Sequence, residues 1–408
     1  MSKYNEWWNK IFDEESIIDR VGNTWYFDIT ANEIKSISWR EPRLMTKVDY
    51  RENLPKVMKK NWLSILAIKN GTYRISEANP FLSLEEINKW EIKIIKPDMN
   101  FQTIDPFKIS SESQALDISC VNWILDEVFW EETKLTVRWR LRNEMDLNFN
   151  IGKTPFKVSG VQIEVDGGYE WANSLNLMEA KIGMRNNINI RQILYPELYW
   201  SQKISNKKIN SFLMCYEEPY FYFIKFKLLG DFIYEIDWTT KIFTFEQSSS
   251  EFDIHNIKID ESLINKEAPF PQADDFNKVL AMLTYIWNWI NSKDELFNEF
   301  DLNIRQIDYY YSVLSWMNLC SYAGDIIILS KKWELINKKP SQDKIKELSQ
   351  IIFSNKIFND ALNKWVDNIE DRDFEKWRIQ SWSTTIPRRK RTVNTWVEFF
   401  KEQMRLYN

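Results

Sequence analysis

A chain of 408 residues that is 44% apolar and 28% charged is globular rather than disordered, and it is too long for one ordinary core, so two or three abutting domains are expected. Its single histidine, His255, sits in EFDIHNIKID and no Gly-rich phosphate loop occurs, which excludes Ser-His triads, histidine-rich metal centres and nucleotide-driven chemistry. The net charge of −5 argues mildly against a polyanionic partner and leaves any such contact to local basic clusters, namely KVMKK at 56–60, KISNKK at 203–208 and Arg388-Arg389-Lys390-Arg391.

The opening stretch MSKYNEWWNKIFDEES has no basic segment followed by an apolar run, and no later segment approaches bilayer-spanning length. A cytoplasmic protein without a membrane partner is therefore expected. Cys120, Cys215 and Cys320 are far apart with no paired spacing and read as reduced core thiols.

Residues 1–105 mix helical stretches with the hairpin ILAIKNGTYRIS, turned at Asn70-Gly71, and read as a small N-terminal α+β domain. Pro97, Pro106 and the polar run between them place the first boundary at 97–108. In SESQALDISCVNWILDEVF, Ala115, Ile118, Val121, Ile124, Leu125 and Val128 recur at helical spacing. Alternation predicts strands over 135–141, 158–165 and 175–182. INIRQILYPELYW follows as a helix, and FLMCYEEPYFYFIKFKL reads as a hairpin turned around Glu217-Glu218-Pro219, so 106–262 forms a mixed α/β domain. Residues 263–408 are mostly helical, with IIILS as a wing strand and Pro387 opening a helix that carries the basic run. The expected fold is α+β and multidomain, with a central mixed β-sheet flanked by helices and a winged-helix-like C-terminal region.

The chemistry concentrates between 161 and 192. Val161, Ile163 and Val165 alternate with Gln162, Glu164 and Asp166, giving one dry and one polar strand face. On the next strand Glu179 and Lys181 share a face, opposite Met178 and Ala180. A turn over Trp171–Ser174 would set Asp166 across from Glu179 and Glu164 across from Lys181, with all four groups in one cleft. Opposed carboxylates at roughly 4.5–5.5 Å between Cβ atoms repel unless a cation lies between them. The pattern therefore predicts a Mg²⁺ site held by Asp166 and Glu179, with Lys181 acting on the attacking water and the phosphorus. Gln192, Tyr195 and Tyr199 form one helical face behind it. The bland alternative is a set of cross-strand salt bridges on a wet sheet face.

The run VSGVQIEVDGGYE…LNLMEAKIG…IRQILYPELYW resembles the catalytic core of PD-(D/E)xK nucleases, most closely a group of type II restriction endonucleases. REPRLMTKVDYRENLPKVMKKNWLSILAIKNGTYRI, SESQALDISCVNWIL, PFPQADDF, FDLNIRQIDYYYSVL and TTIPRRKRTVNTWVEFF resemble further segments of that group in the same order. The resemblance implies Mg²⁺-dependent cleavage of double-stranded DNA at a short specific site, with Mn²⁺ able to substitute, and a companion DNA methyltransferase protecting host DNA. It makes Asp166 and Glu179 metal ligands, Lys181 the catalytic lysine and Gln192 the glutamine of the helix behind the site. Val165 replaces the proline of the family name, and Ile182 follows the lysine where polar residues are more usual.

Cutting both strands favours a homodimer. Arg138, Arg140 and Arg142 alternate on one predicted strand face suited to phosphates, and Arg305, Gln306, Arg388, Arg389 and Arg391 suit groove or backbone contacts. Twenty tryptophans and 25 phenylalanines could serve base stacking, but core packing accounts for most of them. Two other readings stand beside the restriction nuclease: a structure-specific nuclease of DNA or RNA, and a non-catalytic DNA-binding regulator with a nuclease-like domain.

Overall fold

A computed structural model describes residues 3–84, 92–229, 233–246, 252–364, 369–375, 377 and 385–407. The N-terminal part packs helices Lys3–Glu14, Ile17–Thr24 and Ala31–Ser38 around a three-stranded antiparallel sheet. Two of its strands, Ser64–Lys69 and Thr72–Ser76, form the hairpin about Asn70-Gly71, where Gly71 takes φ +70°. Trp8, Ile11, Ile29, Ile34, Ile65 and Ile75 fill the core beneath it.

Seven strands make the central sheet: β1 (Ile92–Ile95), β2 (Lys134–Val137), β3 (Gly167–Glu170), β4 (Ser174–Ile182), β5 (Lys208–Glu217), β6 (Tyr220–Leu229) and β7 (Ile233–Phe245). Their order is β1-β7-β6-β5-β4-β3-β2. The β4–β5 and β7–β1 pairs are parallel and the others antiparallel, so the sheet is mixed. A Cβ on Gly168 would come within 2.7 Å of Val137 Cβ, so the glycine is what lets β2 close on β3.

All nine residues of β4 are buried, because both faces of the sheet are covered. Met178, Ala180 and Ile182 face helices α1 (Glu112–Val121) and α2 (Ile124–Phe129) and the C-terminal helices. Leu175 and Leu177 face α3 (Arg191–Lys203), whose Ile193, Leu194 and Tyr195 share their core.

The expected boundary at 97–108 does not separate structural units. Phe81–Ser83 pairs with Asn187–Asn189, and β1 pairs with β7, so the central unit begins soon after Ser76. Short-range punctuation could not reveal these pairings, since the partners lie more than a hundred residues away. The arginine strand also departs from expectation. It breaks at Arg138-Trp139, leaving Arg138 beside the central sheet while Arg140–Arg142 pairs with Gln162–Glu164 in a separate two-stranded ribbon.

The C-terminal part is mostly helical. Helices α4 (Phe276–Trp287), α5 (Lys293–Glu299) and α6 (Ile304–Trp316) lead into a hairpin of Cys320–Ala323 and Ile326–Leu329, and a bridge joins Ser292 to Ile326. After three further helices and Asp371–Glu375 comes the long α7 (Thr385–Tyr407), which buries Val393, Trp396 and Phe400. This core is continuous with the α1 side of the central sheet. Among the described residues no helix is long and apolar enough to cross a membrane.

Candidate active site

The β3–β4 ladder runs from Glu170↔Leu175 to Gly167↔Met178, closed by a Trp171 N–H to Ser174 C=O bond. One more step in this register brings Asp166 level with Glu179. Asp166 Oδ2 accepts the Ala180 N–H at 2.8 Å, which pins the carboxylate against β4. Glu179 Oε1 accepts Lys181 Nζ at 2.5 Å and Gln192 Nε2 at 2.6 Å. Gln192 reaches it because Arg191 and Gln192 occupy the first turn of α3, directly over the face carrying Glu179 and Lys181.

Glu164 is not across from Lys181. The polypeptide leaves the sheet before Asp166, and Glu164 pairs instead with Arg140 in the ribbon, Arg140 Nε donating to Glu164 Oε1 at 2.7 Å with both side chains at least half exposed. It still borders the cavity, at the rim. Strand parity alone assumed one unbroken strand from 161 to 166; buried Val161, Ile163 and Val165 keep the alternation but belong to a chain that changes sheet.

Tertiary structure adds residues that the motif did not reveal. Glu112, at the start of α1, enters the same cavity and accepts a hydrogen bond from the Tyr285 hydroxyl at 3.0 Å. Asp49 is buried and ion-paired with Arg191, and Lys47 bridges to Glu299 at 2.6 Å. The local signal for Glu112 was present, since Ser111 caps the helix by accepting the Gln114 N–H, but nothing local placed that helix end beside β4. The cavity has a volume of about 510 Å³ and is walled by the N-terminal, central and C-terminal parts together.

Electrostatics set the character of this cluster. Burial pushes the Glu179 carboxyl up to about 8 despite the adjacent Lys181 ammonium. Burial also raises Asp166 and Glu112, each only partly offset by Lys181. For Lys181 burial opposes the charge, but the carboxylates of Glu179 and Glu112 outweigh it and hold the ammonium protonated. Lys181 is the cation common to all three carboxyl groups, and ionising all of them leaves uncompensated negative charge in a poorly solvated site.

No group of three Asp, Glu, His or Cys side chains among the described residues is arranged to hold a metal ion by itself. Oxygen donors from two carboxylates, an open cavity for waters and the buried, partnerless Gln192 Oε1 nevertheless suit a hard dication that keeps part of its hydration shell.

The sequence-predicted DNA contacts divide. Arg138 donates to the Asp166 carbonyl oxygen at 3.2 Å and pairs with Asp117 at 2.7 Å, so it braces the site from behind. Arg140 stands at the cavity rim, and Arg142 donates to the Gly160 carbonyl at 3.2 Å. Arg305, Gln306, Arg388 and Arg391 line a second groove of about 590 Å³, where the first turns of α6 and α7 meet with Tyr309 between them. Within it, Gln306 Oε1 accepts the Asn303 N–H, a helix-capping duty, and Arg391 pairs with Asp274 at 3.2 Å. Arg389 is excluded from the groove. It is 4% exposed and donates to the Phe270 carbonyl, because it falls on the α7 face that packs inward with Val393 and Trp396.

Residues 5–75, 76–237 and 278–405 match three family models, each described as a domain of unknown function (DUF6996, DUF6997 and DUF7226 respectively). No curated protein and no solved structure matches the chain.

Proposed function

We propose that this chain is a Mg²⁺-dependent, sequence-specific endonuclease that hydrolyses phosphodiester bonds in double-stranded DNA, a type II restriction enzyme of the PD-(D/E)xK kind. The observation that carries the reading is the cluster of buried Glu179 and Lys181 with half-buried Asp166 and Gln192 at the floor of an open cavity, with Glu112 supplying a further carboxylate. Asp166 and Glu179 would hold Mg²⁺, which when bound neutralises their charge and makes the phosphorus more electrophilic; Mn²⁺ would substitute. The chain's own groups do the rest. Gln192 fixes the Glu179 oxygen, the Ala180 N–H fixes Asp166, and the protonated Lys181 donates to a phosphate oxygen as negative charge builds there. Arg140, at the rim, would hold a flanking phosphate in exchange for its exposed pairing with Glu164.

The helix order α4, α5, α6 followed by a hairpin and a Ser292 bridge supports a winged-helix reading of the C-terminal part. In that reading α6 presents Arg305 to the DNA while Arg388 and Arg391 contact its backbone. A homodimer would cut both strands, and a methyltransferase acting on the same site would protect host DNA.

The test is digestion of phage DNA with the purified chain and Mg²⁺. Discrete fragments are expected, and Asp166→Ala and Lys181→Ala should each abolish cleavage while DNA binding persists. A smear or a preference for branched DNA would favour the structure-specific nuclease instead. Inactivity with both Mg²⁺ and Mn²⁺ over many DNA substrates would leave the regulator reading.

A further inference from the structure

Among the described residues, eight non-glycine positions have positive φ, and six of them are tryptophan: Trp25 (70°), Trp39 (56°), Trp62 (57°), Trp123 (56°), Trp130 (60°) and Trp289 (69°). A bulky side chain in the left-handed region is a genuine outlier, because its Cβ crowds the following carbonyl oxygen. All six lie at the C-terminal ends of helices. Trp62 and Trp289 complete the paired closing bonds of a Schellman ending: Trp62 N–H to Lys59 C=O with Leu63 N–H to Met58 C=O, and Trp289 N–H to Ile286 C=O with Ile290 N–H to Tyr285 C=O. Asn318 makes the same pair of bonds at the end of α6 with φ 58°, and asparagine or glycine is the residue such a position calls for.

The six indoles are also exposed, from 54% at Trp25 to 86% at Trp62. Trp8, Trp316, Trp333 and Trp396 behave oppositely: each is at most 1% exposed, and none is left-handed. These four are packed as indoles, the six occupy glycine positions, and Trp139 and Trp171 are exposed at 51% and 42% with no positive φ, so exposure alone does not mark the six. Contacts do not explain the six. Trp130 lies near Lys241 and Trp25 near Lys153, at 4.0 and 5.4 Å from ring centre to ammonium, and such exposed cation–π pairs are weak. Composition agrees: nine glycines in 408 residues is roughly a third of ordinary usage, while tryptophan reaches twenty.

We propose that positions 25, 39, 62, 123, 130 and 289 are glycine in the protein as its native cell makes it. UGA has the required property: some genetic codes read it as tryptophan and others as glycine. The helix endings then become ordinary glycine caps, and no surface function need be sought for six solvated indoles.

Two measurements test this. Peptide mass mapping of the protein from its native source should show glycine at these positions and tryptophan at Trp316 and Trp396; indole at the six would overturn the proposal. Independently, the chain bearing tryptophan should gain stability from each Trp→Gly change at Trp39, Trp62 or Trp289, with a rise in thermal midpoint of roughly 1–4 °C apiece. Trp→Ala at the same positions should gain less, since alanine also resists positive φ. Equal effects of glycine and alanine, a lowered midpoint, or loss of DNA binding on replacing the indoles would refute the assignment. Trp316→Gly, in the core, is the control expected to lower the midpoint sharply.

Discussion

Glu179→Gln should remove much of the pH dependence of folding stability in the metal-free protein. The Glu179 carboxyl ordinarily titrates at 4.5 and is pushed up to about 8 by burial, with Lys181 opposing the shift. A raised pKa means that the folded state keeps a proton the unfolded chain has already released. The stabilisation is therefore fully present below 4.5 and is lost as pH rises through about 8. Between about pH 6 and about pH 8 the loss is on the order of 2 kcal/mol, taking roughly 1.4 kcal/mol per unit. Denaturant midpoints measured in EDTA at both pH values, for wild type and Glu179→Gln, read this directly. Wild type should weaken across the interval by that amount more than the variant. Adding Mg²⁺ at the higher pH should restore wild type and leave the variant unchanged. Equal pH slopes for the two proteins would refute the reasoning, because Glu179 would then be ionised throughout.

Tyr285→Phe removes the hydroxyl that donates to Glu112, so the Mg²⁺ concentration for half-maximal cleavage should rise several-fold while DNA affinity in Ca²⁺ stays unchanged. Arg185 is 1% exposed and donates to the Tyr50 and Tyr285 hydroxyls and the Glu299 carbonyl, tying the three parts of the chain together. Arg185→Ala should cost about 3–5 kcal/mol in chemical denaturation, as removal of a buried hydrogen-bonded charge does. Arg388→Ala should lower the slope of log affinity against log salt by about one, equally for specific and unrelated DNA. Arg389→Ala, whose partner is the Phe270 carbonyl, should reduce stability and leave that slope alone.

The α+β character, the hairpin at Asn70-Gly71, the helix at 112–121 and the turn after Glu170 were legible in the sequence, because each is set by local periodicity or turn chemistry. Parity along β4 likewise set Glu179 and Lys181 on one face, since successive side chains of a strand must alternate. Tertiary structure alone decided which distant elements completed the site. Glu112 faces Lys181 because α1 packs on the sheet, and Asp49 meets Arg191 across more than a hundred residues, contacts that no periodicity encodes. It also decided that Glu164 belongs to Arg140 and not to Lys181, and that Arg389 turns inward while Arg388 and Arg391 turn out. Alternation fixes the side of an element on which a residue lies, whereas the partner on that side depends on how whole elements pack.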